Sequence, residues 1–192
     1  MDNIKTILAG LSLTMAVGMP AATSDELTMV VGTYTDQSTS DGMYVYRFNQ
    51  RTGKSQLVSN VQADNPSFLM MNHDANLVYA VSEYDDGRQS LGAFILNKKE
   101  GTMTPLGYQK CGTKATRPEN KMPGAAPCNV MLYGGHVVTS NYNGGDISVF
   151  PIKEDGSVAP ESQYFDMHRE GSGVVSHIHC CQMTPDHHYM LA

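Results

Sequence analysis

The chain has 192 residues, 41% of them apolar and 17% charged, with a net charge of −6. That length allows one ordinary domain with a real core, and the acidic balance leaves no basic footprint, so nucleic acid is not an expected partner. Gly 18, Tyr 10 and no Trp point to many turns and much strand.

Residues 1–24, "MDNIKTILAGLSLTMAVGMPAATS", have the layout of a secretory signal peptide. Lys5 lies in a short polar start, an uncharged apolar run follows from Ile7 to Met19, and Pro20 precedes the small residues Ala21, Ala22 and Ser24. The run is shorter than the roughly 20 apolar residues that span a bilayer, so no membrane span is expected. A cleaved leader would send the protein to the periplasm or outside the cell; an uncleaved one would leave it in the cytoplasm.

From residue 25 onward helical periodicity is missing and a phrase returns. "TMVVGTYTDQSTSDGMYVYRFNQRTGKSQLV" is followed by "LVYAVSEYDDGRQSLGAFILNKKEGTMTPL" and then "HVVTSNYNGGDISVFPIKEDGSVAP". Each copy runs through a β-rich stretch to Tyr34, Tyr84 or Tyr142 and a polar turn. A second run then carries Tyr46, Phe94 or Phe150, and a charged turn holds Gly53, Gly101 or Gly156 before a short third strand. The tyrosines stand 50 and then 58 residues apart. Multi-strand repeats of roughly that length, punctuated by turns, are the mark of β-propeller blades.

A fourth, innermost strand precedes the second and third copies, as "NPSFLMM" and "PCNVMLY", and "HIHCCQM" opens a further one. Ser67, Cys128 and His179 then take equivalent places beside the central channel. "NHDANLVYA" at 72–80 overlays "TPDHHYMLA" at 184–192, with Asp74 on Asp186 and Tyr79 on Leu191. The first copy begins at its second strand and the last ends in mid-strand. The expected fold is therefore all-β: an incomplete propeller of four-stranded antiparallel blades, about three plus the start of a fourth. A two-layer β-sandwich competes, but would not need internal similarity at ~50 residues.

The four cysteines are Cys111, Cys128, Cys180 and Cys181. Cys111 and Cys128 bracket a Pro/Gly-rich loop and can pair if their Cα atoms come within ~7 Å; otherwise all four read as small buried hydrophobes. On an extended strand His177, His179 and Cys181 share one face, with Ile178 and Cys180 on the other. Two imidazoles spaced this way can meet on zinc, but no third ligand is evident, and Asp186, His187 and His188 fall in a turn at the far end.

The phrases "VGTYT", "GMYVYRFNQRTGK", "NPSFL", "LVYAVSEY", "NYNGGDISVFPI" and "HIHCCQMTPD", in that order and spacing, resemble the seven-bladed propeller lactonase family. That family includes propeller-type 6-phosphogluconolactonases and is similar to the carboxy-muconate cycloisomerases. The resemblance runs from about Thr28 to Ala192 and divides the chain into a leader (1–24) and the N-terminal portion of a lactonase-type propeller (25–192). It implies hydrolysis of a sugar lactone similar to 6-phosphogluconolactone, by a complete protein that is a monomer and needs no cofactor and no metal.

Opening a lactone with water needs a base for the water and donors for the oxyanion. Imidazole suits the first task and Arg or backbone N–H the second. By resemblance His179 falls on the active-site histidine, and His177 on the first histidine of the family's P-H-x-H phrase, with Ser176 in place of the proline. The family's partner arginine and glutamate belong to the next blade, past Ala192, so the chain as it stands is expected to be inactive. Glu83 reads either as a polar anchor at the channel mouth or as an exposed strand-end carboxylate. Asn141 lies in a mouth loop that is also a hairpin signal. Lys114, Arg117 and Lys121 offer cations to a sugar phosphate or are simply solvated. The resulting assignment is His179 as catalytic base, with His177, Glu83, Asn141 and Arg117 binding substrate. Two readings stand beside it: a non-catalytic propeller scaffold, and a metal-dependent enzyme built on the His-x-His strand.

Overall fold

Runs rich in Val, Tyr, Phe and Thr, several of them closed by Gly, Asn or Asp, pair with their neighbours in the chain and form up-and-down sheets. A computed structural model describes residues 25–72, 74–116, 120, 122–168 and 175–192. The leader expected at 1–24, with Arg117 and Lys121, lies outside the described residues.

The first sheet holds β1 (Glu26–Gly32), β2 (Gly42–Asn49) and β3 (Ser55–Gln62), in chain order. The second has four strands, β4 (Leu69–Asn72), β5 (Leu77–Ser82), β6 (Ser90–Asn97) and β7 (Thr102–Lys110). The third repeats this with β8 (Pro127–Tyr133), β9 (His136–Asn141), β10 (Asp146–Pro151) and β11 (Gln163–Asp166). A hairpin of β12 (Gln182–Met183) and β13 (Met190–Leu191) follows. Every pairing within these sheets is antiparallel. The architecture is three blades and the opening hairpin of a fourth, and β1 stands where the other blades have their second strand.

The repeat is visible in the register. Met71 opposite Val78 and Met70 opposite Tyr79 return as Met183 opposite Met190 and Gln182 opposite Leu191, which is the overlay expected from the sequence. A bulge falls at Val45/Tyr46 in the first blade and at Ala93/Phe94 in the second. Gly53, Gly101 and Gly156 turn the chain at φ 71, 72 and 83, a left-handed conformation that strains any residue with a Cβ.

Adjacent sheets pack face to face, and strand alternation assigns each side chain to one gap or the other. Met43 and Val45 of the first blade meet Val78, Ala80, Phe94 and Leu96 of the second. On the opposite face of β5, Leu77, Tyr79 and Val81 meet Val130, Val137 and Phe150 of the third blade. β5 is thus covered on both sides, which explains why "LVYAVS" lacks polar alternation. Each such apolar side chain contributes on the order of 1.5–3 kcal/mol when fully buried. The third gap is filled by Met131, Val138, Ile147 and Val149 against Cys181, with Ile178 and Met183 at its margin.

Polar clamps cross the same gaps. The Arg47 guanidinium donates to the carbonyls of Lys98 (2.7 Å) and Lys99 (2.6 Å) in the next blade. The fully buried Tyr79 hydroxyl donates to the Gly156 carbonyl of the third blade at 3.1 Å. No helix among the described residues is long and apolar enough to cross a membrane.

Candidate active site

Beyond the ends of β1, β5 and β9 the chain leaves the sheets, and the side chains there are released from the interblade cores. Leu77, Tyr79 and Val81 face the third blade, so Glu83 continues that face. In the next blade Val138 faces the last hairpin and Ser140 Oγ donates to Cys181 Sγ at 3.1 Å, so Tyr142 is the corresponding residue. The backbone agrees: Glu83 N–H donates to Asn65 O (3.1 Å) and Tyr142 N–H to Ala126 O (2.9 Å). The repeat phrase had aligned Tyr84 with Tyr34 and Tyr142; the structure moves that register by one and puts Glu83 in the place. Tyr84 stands two residues past the end of β5 and Tyr142 one past the end of β9, so these aromatics fall on opposite faces. Tyr84 is buried, with the Arg88 guanidinium 3.6 Å above its ring.

Two groups of polar side chains gather there. In the first, the Glu83 carboxylate accepts the hydroxyl of Tyr34 at 2.9 Å, and the Ser67 hydroxyl bonds to the same oxygen, Oε2. Partial burial, and then the hydrogen bond to Glu83, push the Tyr34 phenol above its ordinary pKa although the residue is 56% exposed. In the second group the rings of Tyr142 and His177 stack with centroids 4.5 Å apart, and His179 meets the same tyrosine edge-on at 5.5 Å. His177 Nδ1 lies 3.1 Å from the Tyr142 carbonyl. A carbonyl only accepts, so Nδ1 is the donor in this hydrogen bond. Cys128 joins the two groups. Its thiol donates to the carbonyls of Ile178 (3.8 Å) and His179 (3.7 Å), and burial, then the Glu83 charge, push it up to about 11. That value makes it a poor nucleophile at neutral pH.

The structure treats the sequence-predicted residues unequally. His177, His179 and Glu83 come into this neighbourhood, and Ser67 and Cys128 lie in it with His179 as the repeat implied. Asn141 is fully buried inside its blade, where its amide donates to Asp146 Oδ1 (2.7 Å) and Ser148 Oγ (3.0 Å). Its side chain holds the β9–β10 hairpin from within. Lys114 is exposed, while its backbone N–H donates to Glu161 at 2.7 Å. His187 and His188 are exposed in the β12–β13 turn.

One expected alternation fails. Cys181 is 1% exposed and packs in the same cluster as Ile178, whereas Cys180 is exposed. The residues before Gln182 have no ladder to hold a pleat; instead Cys181 N–H donates to Asn129 Oδ1 at 3.3 Å. His177 and His179 therefore share a side, without Cys181. All four cysteines are free thiols, and burial pushes that of Cys111 far up. Among the described residues no three His, Cys, Asp or Glu side chains gather closely enough to hold a metal ion.

Asn65 was passed over in the sequence. It is buried at φ 42, its Oδ1 accepts from Thr35 N–H (2.7 Å) and Asp36 N–H (2.9 Å), and its Nδ2 donates to the Glu83 carbonyl at 3.2 Å. It ties the strand end that carries Tyr34 to the one that carries Glu83. The signal available was "DNPS", since Asn tolerates the left-handed region better than most residues.

The family described as "Lactonase, 7-bladed beta-propeller" matches residues 28–192. The chain belongs to this lactonase family. Among curated relatives it is similar to the 6-phosphogluconolactonase of Bacillus subtilis, 28% identical over 170 residues that make up 84% of this chain and 44% of that protein. The 6-phosphogluconolactonase of Formosa agariphila is 27% identical over 172 residues, 84% of this chain and 45% of that one. A Bacteroides fragilis crystal structure, provisionally assigned as a 6-phosphogluconolactonase, matches with a TM-score of 0.76 at 37% identity and covers 90% of this chain and 46% of that one. The chain thus spans less than half the length of these members of the lactonase family, in keeping with three blades and a hairpin.

Proposed function

We propose that the complete protein hydrolyses a sugar lactone, of the 6-phosphogluconolactone kind, to its open acid. What supports this most is the placing of two exposed imidazoles, His177 and His179, on one tyrosine ring, joined through Cys128 to the Glu83–Tyr34–Ser67 group. In this reading His179 takes a proton from water as the water oxygen attacks the lactone carbonyl carbon. The acyl C–O bond of the ring then breaks, and the ring oxygen leaves as a hydroxyl after taking that proton back. No net proton is consumed before the acid ionises. Tyr34, Ser67 and Glu83 offer hydroxyl donors and a carboxylate acceptor to the substrate's hydroxyl groups, and His177 holds it from the other side. Arg117 is proposed as a further contact to an anionic substituent.

Activity is proposed for the complete protein, with this chain alone inactive because it supplies one side of the site. The expected result is hydrolysis of a δ-lactone, followed by acid release in weakly buffered indicator, by the complete protein and not by residues 25–192. Absence of hydrolysis over a panel of phosphorylated and plain sugar lactones would leave a binding scaffold as the better reading. Residues 1–24 are proposed to be removed on export, and the mass of the mature protein should then lack them. An intact Met1 in a cytosolic fraction would overturn export and favour a phosphorylated cytosolic substrate.

A further inference from the structure

The β9–β10 hairpin does more than connect two strands. "NYNGG" places Tyr142 at the first turn position, where it is 39% exposed. Its carbonyl accepts the His177 Nδ1 proton (3.1 Å) and also the Gly145 N–H (3.3 Å). Its ring lies nearly parallel to His177, at 27°, and nearly perpendicular to His179, at 86°. The hairpin itself is rigidly seated. Tyr142 N–H and Gly144 N–H donate to Ala126 O (2.9 Å) and Ala125 O (3.0 Å), and a Cβ on Gly145 would lie 2.5 Å from the Ser176 carbonyl. One residue therefore touches both imidazoles, with its ring against each and its carbonyl against His177 Nδ1.

From this geometry we infer that Tyr142 is the positioning residue of the two histidines, acting through its aromatic face and not through its hydroxyl. The inference rests on the lactonase reading for its catalytic consequence, but not for its structural content. The carbonyl anchors one nitrogen of His177 but leaves the ring free to rotate about that hydrogen bond; the stacked tyrosine removes this freedom, and its edge contact sets the angle of the neighbouring imidazole. Offset-stacked and edge-to-face arrangements are the favourable geometries for such ring pairs. The corresponding position of the preceding blade is Glu83, so that blade offers a carboxylate where the one beside the histidines offers an aromatic face.

The test uses the complete protein with Tyr142→Phe and Tyr142→Ala, read in two ways. Relaxation of carbon-13-labelled imidazoles should show His177 and His179 as ordered rings in the wild type and Tyr142→Phe, and as mobile ones in Tyr142→Ala, which keeps the backbone carbonyl but loses the ring. In lactone hydrolysis Tyr142→Phe should stay near wild type, while Tyr142→Ala loses about tenfold in kcat with little change in KM. Retention of ordered imidazoles and of kcat in Tyr142→Ala would overturn the proposal. So would an equal loss in Tyr142→Phe, which would make the hydroxyl the working group. If the wild type hydrolyses no lactone, the lactonase reading fails and the ring-mobility measurement alone decides the role of Tyr142.

Discussion

Replacing His179 by alanine in the complete protein is expected to lower kcat/KM for a δ-lactone by about 10²–10⁴-fold, the usual contribution of a positioned general base. The loss should fall on kcat, because the proposed role of this imidazole is to act on water and not to bind substrate. His177→Ala should cost less and should raise KM, since the role proposed for this ring, held by the Tyr142 carbonyl and stack, is to bind substrate. The contrast separates two chemistries that "HIH" leaves open. Equal losses in both variants, together with inhibition by a chelator, would mean that the pair binds a metal. Equal and small losses would mean that neither imidazole takes the proton, and the base would have to be sought at Glu83.

How much of this arrangement could be read in advance depended on which interactions are local. The blades were legible because each hairpin is built from consecutive residues, with Gly53, Gly101 and Gly156 in the same left-handed turns. The overlay of 72–80 on 184–192 held to the residue, since pairing in a short hairpin is set by the turn. Contacts between blades join residues far apart in the chain and leave no such local mark. Tyr84 was aligned by its aromatic character, yet the face that counts belongs to Glu83, one residue earlier. Cys181 was placed with the histidines by alternation, in a segment that no ladder holds extended. The family resemblance puts Asn141 in a loop near the mouth, whereas its side chain satisfies buried groups of the hairpin that the same phrase signals. Nothing in the local pattern distinguishes an Asn that caps its own hairpin from one that greets a ligand; the distinction lies in Asp146 and Ser148, which fold back against it.

That same network sets the largest expected effect on stability. Asp146 is 0% exposed and accepts from Asn141 Nδ2 (2.7 Å), Tyr164 OH (2.8 Å), Gly124 N–H (3.0 Å) and Asn120 Nδ2 (3.2 Å). Asn120 and Gly124 belong to the loop after β7, so one carboxyl joins that loop to three strands of the third blade. Asp146→Ala leaves several buried donors unmatched and should destabilise the protein by on the order of 3 kcal/mol, measured by denaturant unfolding of the complete protein. Asp146→Asn tests the sign of the electrostatics. Burial holds the Asp146 carboxyl above its ordinary value, against the pull of the four donors. The folded state then takes up a proton at a pH where the unfolded chain is still ionised. The contribution of this group to stability therefore rises as pH falls through the folded value, and levels off below the unfolded value of about 3.9. An asparagine cannot titrate, so its penalty relative to wild type should be larger in mild acid than at neutral pH. A penalty that shrinks on acidification would mean that the hydrogen bonds to the carboxylate outweigh the cost of burying its charge.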